Sequence, residues 1–468
     1  MNWRSFGLCI VAFCLALHAQ AGKRTVFVQM FEWPWKDIAQ ECEQYLGPKG
    51  FAAVQVSPPH EHILWQNQPW WVRYQVASYK IQSRSGSEQE FVDMVQRCKA
   101  AGVDVYADAV INHMTGIPSG TGIAGTRFSH YNYPGIYQYQ DFNHCGRNGN
   151  DNIVDYHDRF EVQYCELLDL ADLATSSSYV QGKIAEYLNH LLDLGVAGFR
   201  IDAAKHIPAA DLENILSRLK RSAYIYSEVI DGPGEPIQAD EYLSAGDVMA
   251  YGYGERIGRA LRAQDISGLL RASDGYPQSD KAVVFLTNHD LERSSSSVLS
   301  YNGSESRLYR LAQVFMLAWP YGYPHLYSGY AFSDKEAGPP LDSRLYTLPI
   351  LDSNDNCRAP WTCEHRLPEV GAMVDFRNRT NNAFYVQDIW HNQKDALAFS
   401  RGSLGFVAIN FGSQSLERDF TVSLPDGRYC NILEGDEDRC TRDYVVSSGR
   451  VHITLSPSSA VVLLKGNK

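Results

Sequence analysis

The sequence predicts an α/β protein: a (β/α)8 TIM barrel with an inserted lobe after strand 3 and a C-terminal all-β sandwich domain. Three observations predict it. Eight short β-rich runs alternate with helical patterns, and eight is the number that closes a parallel barrel. A stretch rich in Gly, Asn, Tyr and Asp, residues 112–178, interrupts that rhythm and is far longer than an ordinary strand–helix loop. After about Arg379 the helical patterns stop and only alternating runs remain.

Residues 1–21 read as a secretory signal: Arg4, an apolar run over 6–17, and Ala19-Gln20-Ala21 as the cleavage site. That run is too short to span a bilayer as a stable helix. Strands are expected at 25–31, 52–57, 103–110, 197–202, 224–229, 248–251, 282–287 and 325–328. Between them, residues 88–101 place Phe91, Met94, Val95 and Cys98 on one helical face. Residues 179–194 repeat the pattern with Val180, Ile184, Tyr187, Leu188 and Leu191, and Gly195 stops it. Residues 212–219 are a third helix. The runs 396–401, 405–411 and 452–464 mark the β domain. The barrel then takes 22–111 and 179–378, the lobe 112–178, and the β domain 379–468.

Composition narrows the function. The 468 residues carry a net charge of −12, which repels phosphate and argues against a nucleic-acid partner. A neutral polymer is indifferent to that field. Aromatic residues make up 12% of the chain, with 9 Trp and 28 Tyr; they suit either a large core or a cleft of flat rings. Of 10 cysteines, Cys9 and Cys14 fall in the signal. The remaining even number, in an exported chain, reads as disulfides. The mature protein is expected to be secreted, extracellular and monomeric, with no membrane partner.

Chemistry in such barrels sits where strands end at the C-terminal face. Four runs end in polar clusters: DAVINH (Asp108 to His113), GFRIDAAKH (Gly198 to His206), SEVI (Ser227 to Ile230) and FLTNHD (Phe285 to Asp290). One acid after a strand is ordinarily a helix cap. Several on one face repel each other and need another reason. Glycoside hydrolysis supplies one, because it uses two carboxyl groups in opposite protonation states. Asp202 follows Arg200 by two residues, so both side chains leave the strand on the same side. The guanidinium favours an ionised acid there, which makes Asp202 the candidate nucleophile. Glu228, at the next strand end, is the candidate acid/base.

These four clusters, in this order, resemble the conserved regions of the α-amylase family. The similarity is greatest to the animal-type enzymes, which also occur in some bacteria. FEWPWKDIAQECEQYLGPKGFAAVQVSPP (Phe31 to Pro59), PWWVRYQVASYKI (Pro69 to Ile81) and CEHR (Cys363 to Arg366) are similar to that group. The resemblance implies endo-hydrolysis of α-1,4-glucosidic bonds in starch or glycogen, with retention of configuration. A glucanotransferase, an exo-acting relative and an inactive glucan-binding protein are the alternatives.

The resemblance also implies roles. Asp202, Glu228 and Asp290 correspond to the three essential acids. His113 and His289 correspond to sugar-binding histidines. Trp70, Trp71, Tyr74 and Gln75 match cleft residues, and Tyr156 matches a stacking tyrosine. Lys205 matches a residue on the leaving side, and Arg200 joins the substrate-binding set. A structural Ca2+ is implied, with Asn112 and Asp172 as side-chain ligands and Gln163 and His206 as carbonyl ligands; Asp169 competes with Asp172. Implied disulfides are Cys42–Cys98, Cys145–Cys165, Cys357–Cys363 and Cys430–Cys440. Gln82 and Thr115 stand where a further bridge of many animal members would be. The loop LERSSSSVLSYNG (Leu291 to Gly303) departs from the family's glycine-rich one. A Cl− site would use Arg200, Asn288 and a third basic position that falls on His325. A histidine there implies chloride activation that is weak, absent or confined to low pH.

Overall fold

The structure is a computed structural model describing residues 24–232, 234–435 and 440–466. The expected signal segment lies outside the described residues. Eight strands close a barrel: β1 (Phe27–Met30), β2 (Ala53–Val56), β3 (Asp104–Ala109), β4 (Gly198–Ile201), β5 (Tyr224–Ser227), β6 (Asp247–Met249), β7 (Ala282–Val284) and β8 (Tyr323–Ser328). Each pairs in parallel with its sequence neighbour, and β1 closes on β8. All eight coincide with expected runs. Several are shorter than read, because the residues that leave the ladder at the C-terminal end carry the polar clusters.

Alternation along each strand sends one set of side chains into the barrel. Phe27, Tyr106 and Tyr226 fill it edge to face, with ring centroids 5.5 and 5.4 Å from Phe27. Gly198 makes room for them: a Cβ there would come within 2.8 Å of the Tyr106 ring and 2.6 Å of the Tyr224 carbonyl. The opposite faces of the strands pack under the helices. In helix Glu88–Ala100 the four apolar residues anticipated are the buried ones, and Ser87 with Glu90 forms a capping box. Helix Ser178–Asp193 buries its expected face. The third helix runs Ala209–Leu216, starting earlier than read because Pro208 precedes its first turn.

Residues 112–178 hold a short hairpin, 119–121 with 127–129, and helix Arg159–Tyr164. They are not alone above the barrel. The link from β2 to the next helix forms its own small sheet, His60–His62, Val76–Ser83 and Gly86–Ser87. The two excursions are joined by the buried Glu61, which accepts the Ala124 and Thr126 amides at 2.8 and 3.0 Å.

The C-terminal part is two four-stranded antiparallel sheets. Strands Ala396–Arg401 and Gly405–Asn410 are buried on both faces. One face meets the second sheet and the other meets the barrel's outer core, so their exposure does not alternate as the sequence suggested. The run 452–464 is two strands, Arg450–Leu455 and Ser459–Leu464. Arg377 and Arg401 pin this interface. They donate to carbonyls at the ends of helices Ser306–Ala318 and Pro368–Thr380, where the helix dipole is negative.

The four disulfides in the structure join Cys42 to Cys98, Cys145 to Cys165, Cys357 to Cys363 and Cys430 to Cys440. Gln82 bonds Tyr346 at 3.2 Å and Thr115 bonds Tyr133 at 2.8 Å, so polar pairs occupy the positions of the further bridge. No described helix is long and apolar enough to cross a membrane.

Candidate active site

A cavity of about 970 Å3 opens at the C-terminal face of the barrel. Its floor is made by strand ends. Asp202 follows β4, Glu228 follows β5, and Asp290 follows the run from β7. Beneath them lies Arg200, fully buried on β4 and in register with Asp108 of β3. Its Nη1 sits 2.6 Å from Asp108 and 2.8 Å from Asp202, and its Nη2 sits 2.8 Å from Glu228.

One permanent cation therefore faces three buried carboxyls. Among the acids, the sequence pairs Arg200 with Asp202 only. In the structure, burial pushes the Asp202 carboxyl well above the usual range; Arg200 opposes this, and Glu228 and Asp108 add to the rise. Confinement in the cleft and then Glu228 push Asp290, whose side chain is 31% exposed, up to about 7. Such groups titrate together.

Glu228 is held on both oxygens. Oε2 accepts the Ala203 amide at 2.8 Å, and Oε1 accepts the Tyr251 hydroxyl at 3.0 Å. Tyr251 also reaches Asp290 at 3.3 Å and accepts from Asn288 at 3.1 Å. Asp108, Tyr251 and Asn288 thus fix the acids from below. Asp108 was visible as the start of DAVINH, but only register shows that it shares the guanidinium. Tyr251 ended an expected strand and carried no motif.

The cavity walls hold Trp70, Trp71, Tyr74, Gln75, His113, Tyr156, Lys205, His206 and His289. Tyr74 stacks on His289 at 5.2 Å and donates to Asp108 at 2.9 Å. Burial keeps His113 neutral, its pKa lowered to about 4, and pushes His289 well below the ordinary range. Both ring nitrogens of His113 have protein partners, the Tyr74 carbonyl at 3.1 Å and the Asn112 amide at 3.3 Å. Lys205 pairs with Glu235 and lies over the Tyr156 ring at 5.4 Å. Lys335 and Glu336, which no motif marked, are brought in by the bond from the Trp70 amide to the Glu336 carbonyl at 3.3 Å.

The unusual loop after β7 is anchored. Glu292 accepts Ser300 at 3.0 Å and Asn302 at 2.8 Å. Arg293 inserts among Phe31, Trp70, Tyr330 and Phe332, at 4.3 to 5.4 Å from their centroids.

Beside the cavity, Asp172 is buried at 2% exposure, and its carboxylate has amide partners: Asn143 at 2.8 Å, and Asn112. Asp169 is exposed and bonded to Asn152, away from this cluster. Gln163 lies in the last turn of helix Arg159–Tyr164, where carbonyls lack helical donors. His206 joins that helix through Nδ1 to the Val162 carbonyl at 2.8 Å. No group of three or more His, Cys, Asp or Glu side chains suited to a metal occurs among the described residues. A site here would rest on one carboxylate and neutral oxygens.

The α-amylase catalytic domain matches residues 38–235, and the α-amylase C-terminal all-β domain matches residues 388–466. An α-amylase of Thermomonospora curvata is 47% identical over 466 residues, covering 95% of this chain and 74% of that protein. The chain belongs to the α-amylase family. It is therefore a glycoside hydrolase. Within the family, the α-amylase of Pecten maximus is 41% identical, covering 96% of this chain and 95% of its own. The crystal structure of α-amylase I from Eisenia fetida superposes with a TM-score of 0.88 at 35% identity, covering 95% and 97% of the two chains. A mutant of that enzyme is described in complex with maltohexaose.

Proposed function

We propose that this α-amylase family member is a secreted, monomeric enzyme that cuts α-1,4-glucan chains internally with retention of configuration. The observation that carries the reading is the placement of Asp202 and Glu228 on the two nitrogens of one guanidinium, at the floor of an aromatic-walled cavity. Asp202 attacks the anomeric carbon while Glu228 protonates the departing glycosidic oxygen. Glu228, now a carboxylate, then takes a proton from water, which displaces Asp202 from the same carbon. Two inversions restore the α configuration, and the shared guanidinium keeps the acids close, as the retaining route requires. Asp290 receives sugar hydroxyls. The rings of Trp70, Trp71 and Tyr156 in the cavity wall support a chain running through the cleft. The exported location is supported by the disulfides. In domain terms, 22–111 with 179–378 is the barrel, 112–178 the lobe and 379–468 the β domain. NMR of the first product released from a maltooligosaccharide should show the α-anomer; initial β-anomer would defeat the reading.

Asp172 and Asn112, with the Gln163 and His206 carbonyls, fit a hard cation. A buried carboxylate held by amides and no basic side chain calls for one, and oxygen ligands from separate segments suit Ca2+. The ion's contribution is structural, tying lobe to barrel.

The residues fit a bound chloride poorly. Arg200 already faces three carboxyls. The Asn288 amide is engaged by Tyr251 and by the Leu291 amide. His325 is stacked 4.8 Å from Phe27, and burial, then Arg200, lower its pKa to about 3. Burial thus disfavours its charged form, so a chloride there would lean on Arg200 and Asn288 alone. Activity in chloride-free buffer should equal that in NaCl within about twofold at both pH 5.5 and pH 8. Tenfold activation at either pH would place an anion beside Arg200.

A further inference from the structure

Trp65 lies just outside the cavity, on the loop that leads into Trp70 and Trp71. The residue is 43% exposed. Its ring centroid is 6.4 Å from that of Trp71, tilted by 52°. Trp70, Trp71 and Tyr74 line the cavity; Trp65 continues their row beyond its rim.

The loop is fixed rather than loose. Leu64 donates to the Thr121 carbonyl at 3.0 Å, and Arg84, fully buried, donates to the Gln68 carbonyl at 3.1 Å. Asn67 and Gln68 are both left-handed, at φ 60° and 43°. Two successive non-glycine residues in that region are strained, and surrounding bonds must hold them. The Gln68 amide closes the turn on the Trp65 carbonyl at 3.2 Å. The result is an indole presented to solvent on a rigid turn, beside the cavity-lining Trp71.

The geometry points to Trp65 as an outer glucose-binding platform, one that lengthens the cleft on the side away from the leaving group. The assignment of sides rests on the glucan-cleaving reading above. Glu228, which protonates the leaving oxygen, stands with Lys205, whose amide bonds the Glu228 carbonyl at 3.3 Å, and with Glu235. Trp71 is bonded instead to Glu336, on a separate segment. A flat indole there would stack on the apolar face of a sugar in the part of the chain that stays with Asp202.

The test compares substrates of two lengths. In Trp65→Ala, kcat/KM for maltoheptaose should fall about three- to tenfold relative to that for maltotriose, the scale of one lost ring contact. With maltoheptaose labelled at its reducing end, labelled fragments should become longer, because donor-side binding no longer favours cuts near that end. Trp65→Phe should restore most of both effects. On a Glu228→Gln background, the Kd for maltoheptaose should rise by the same factor. An unchanged substrate ratio and cleavage pattern in Trp65→Ala overturns the platform. Absence of any glucan cleavage by the unmodified chain overturns the underlying reading instead.

Discussion

Asp202→Asn and Glu228→Gln should each lower kcat on starch by at least about a thousandfold while leaving the fold intact. The two should then separate. With α-maltosyl fluoride, whose leaving group needs no proton, Glu228→Gln should regain a large part of the rate of bond cleavage, and Asp202→Asn should regain none. The measurements are initial rates on starch and release of fluoride ion. Near-native turnover of starch by either variant would remove it from its role. Equal response of the two variants to the fluoride would remove the division of labour.

The same variants report on the electrostatics. Asp202 has its carboxyl pushed up by burial, against the pull of Arg200. A folded-state pKa above the unfolded value favours the folded state at low pH, and that advantage is lost as pH rises through the folded value. Asp202→Asn replaces the costly charge with a neutral amide. Its melting temperature should therefore equal or exceed that of the parent, with the gain larger at pH 8 than at pH 5.

Much of this site was legible because strand ends write it in contiguous letters. Asp202, Glu228 and Asp290 each follow an apolar run, and the alternation of Arg200 with Asp202 sets both on one side of β4. What the sequence hid is what depends on register and on distant segments. Asp108 meets Arg200 because β3 and β4 pair at those residues. Lys335 and Glu336 reach the cleft through a backbone bond to Trp70. The small sheet over 60–87 went unread because two of its three strands are short and its chemistry is internal: Glu32 pairs with both Arg73 and Arg84 within a fully buried cluster. The doubly buried strands at 396–401 and 405–410 were read as alternating, since periodicity does not reveal a second partner sheet or helix layer.

Removing calcium should lower the melting temperature by a few degrees, and by more at pH 8 than at pH 5. The reason lies in Asp172. Burial raises its carboxyl well above the usual range; Asn143 and then Asn112 pull it down, and Glu166 pushes it further up. With no cation, folding then favours the protonated form, so stability falls as pH climbs from the ordinary aspartate value toward the raised one. A divalent ion reverses that penalty by binding the ionised form, and binding only the folded state contributes about 3 kcal/mol at a hundred times Kd. Asp172→Asn separates this from a general effect of chelator. Without the ion, the variant should melt at or above the parent at pH 8, since it has no buried charge to compensate. With calcium present it should melt below the parent and no longer respond to chelator. Asp169→Ala, at an exposed position bonded to Asn152, should keep the full response. An Asp172→Asn variant that still loses stability with chelator, or a parent that loses none, would move the ion away from the Asn112–Asp172 pair.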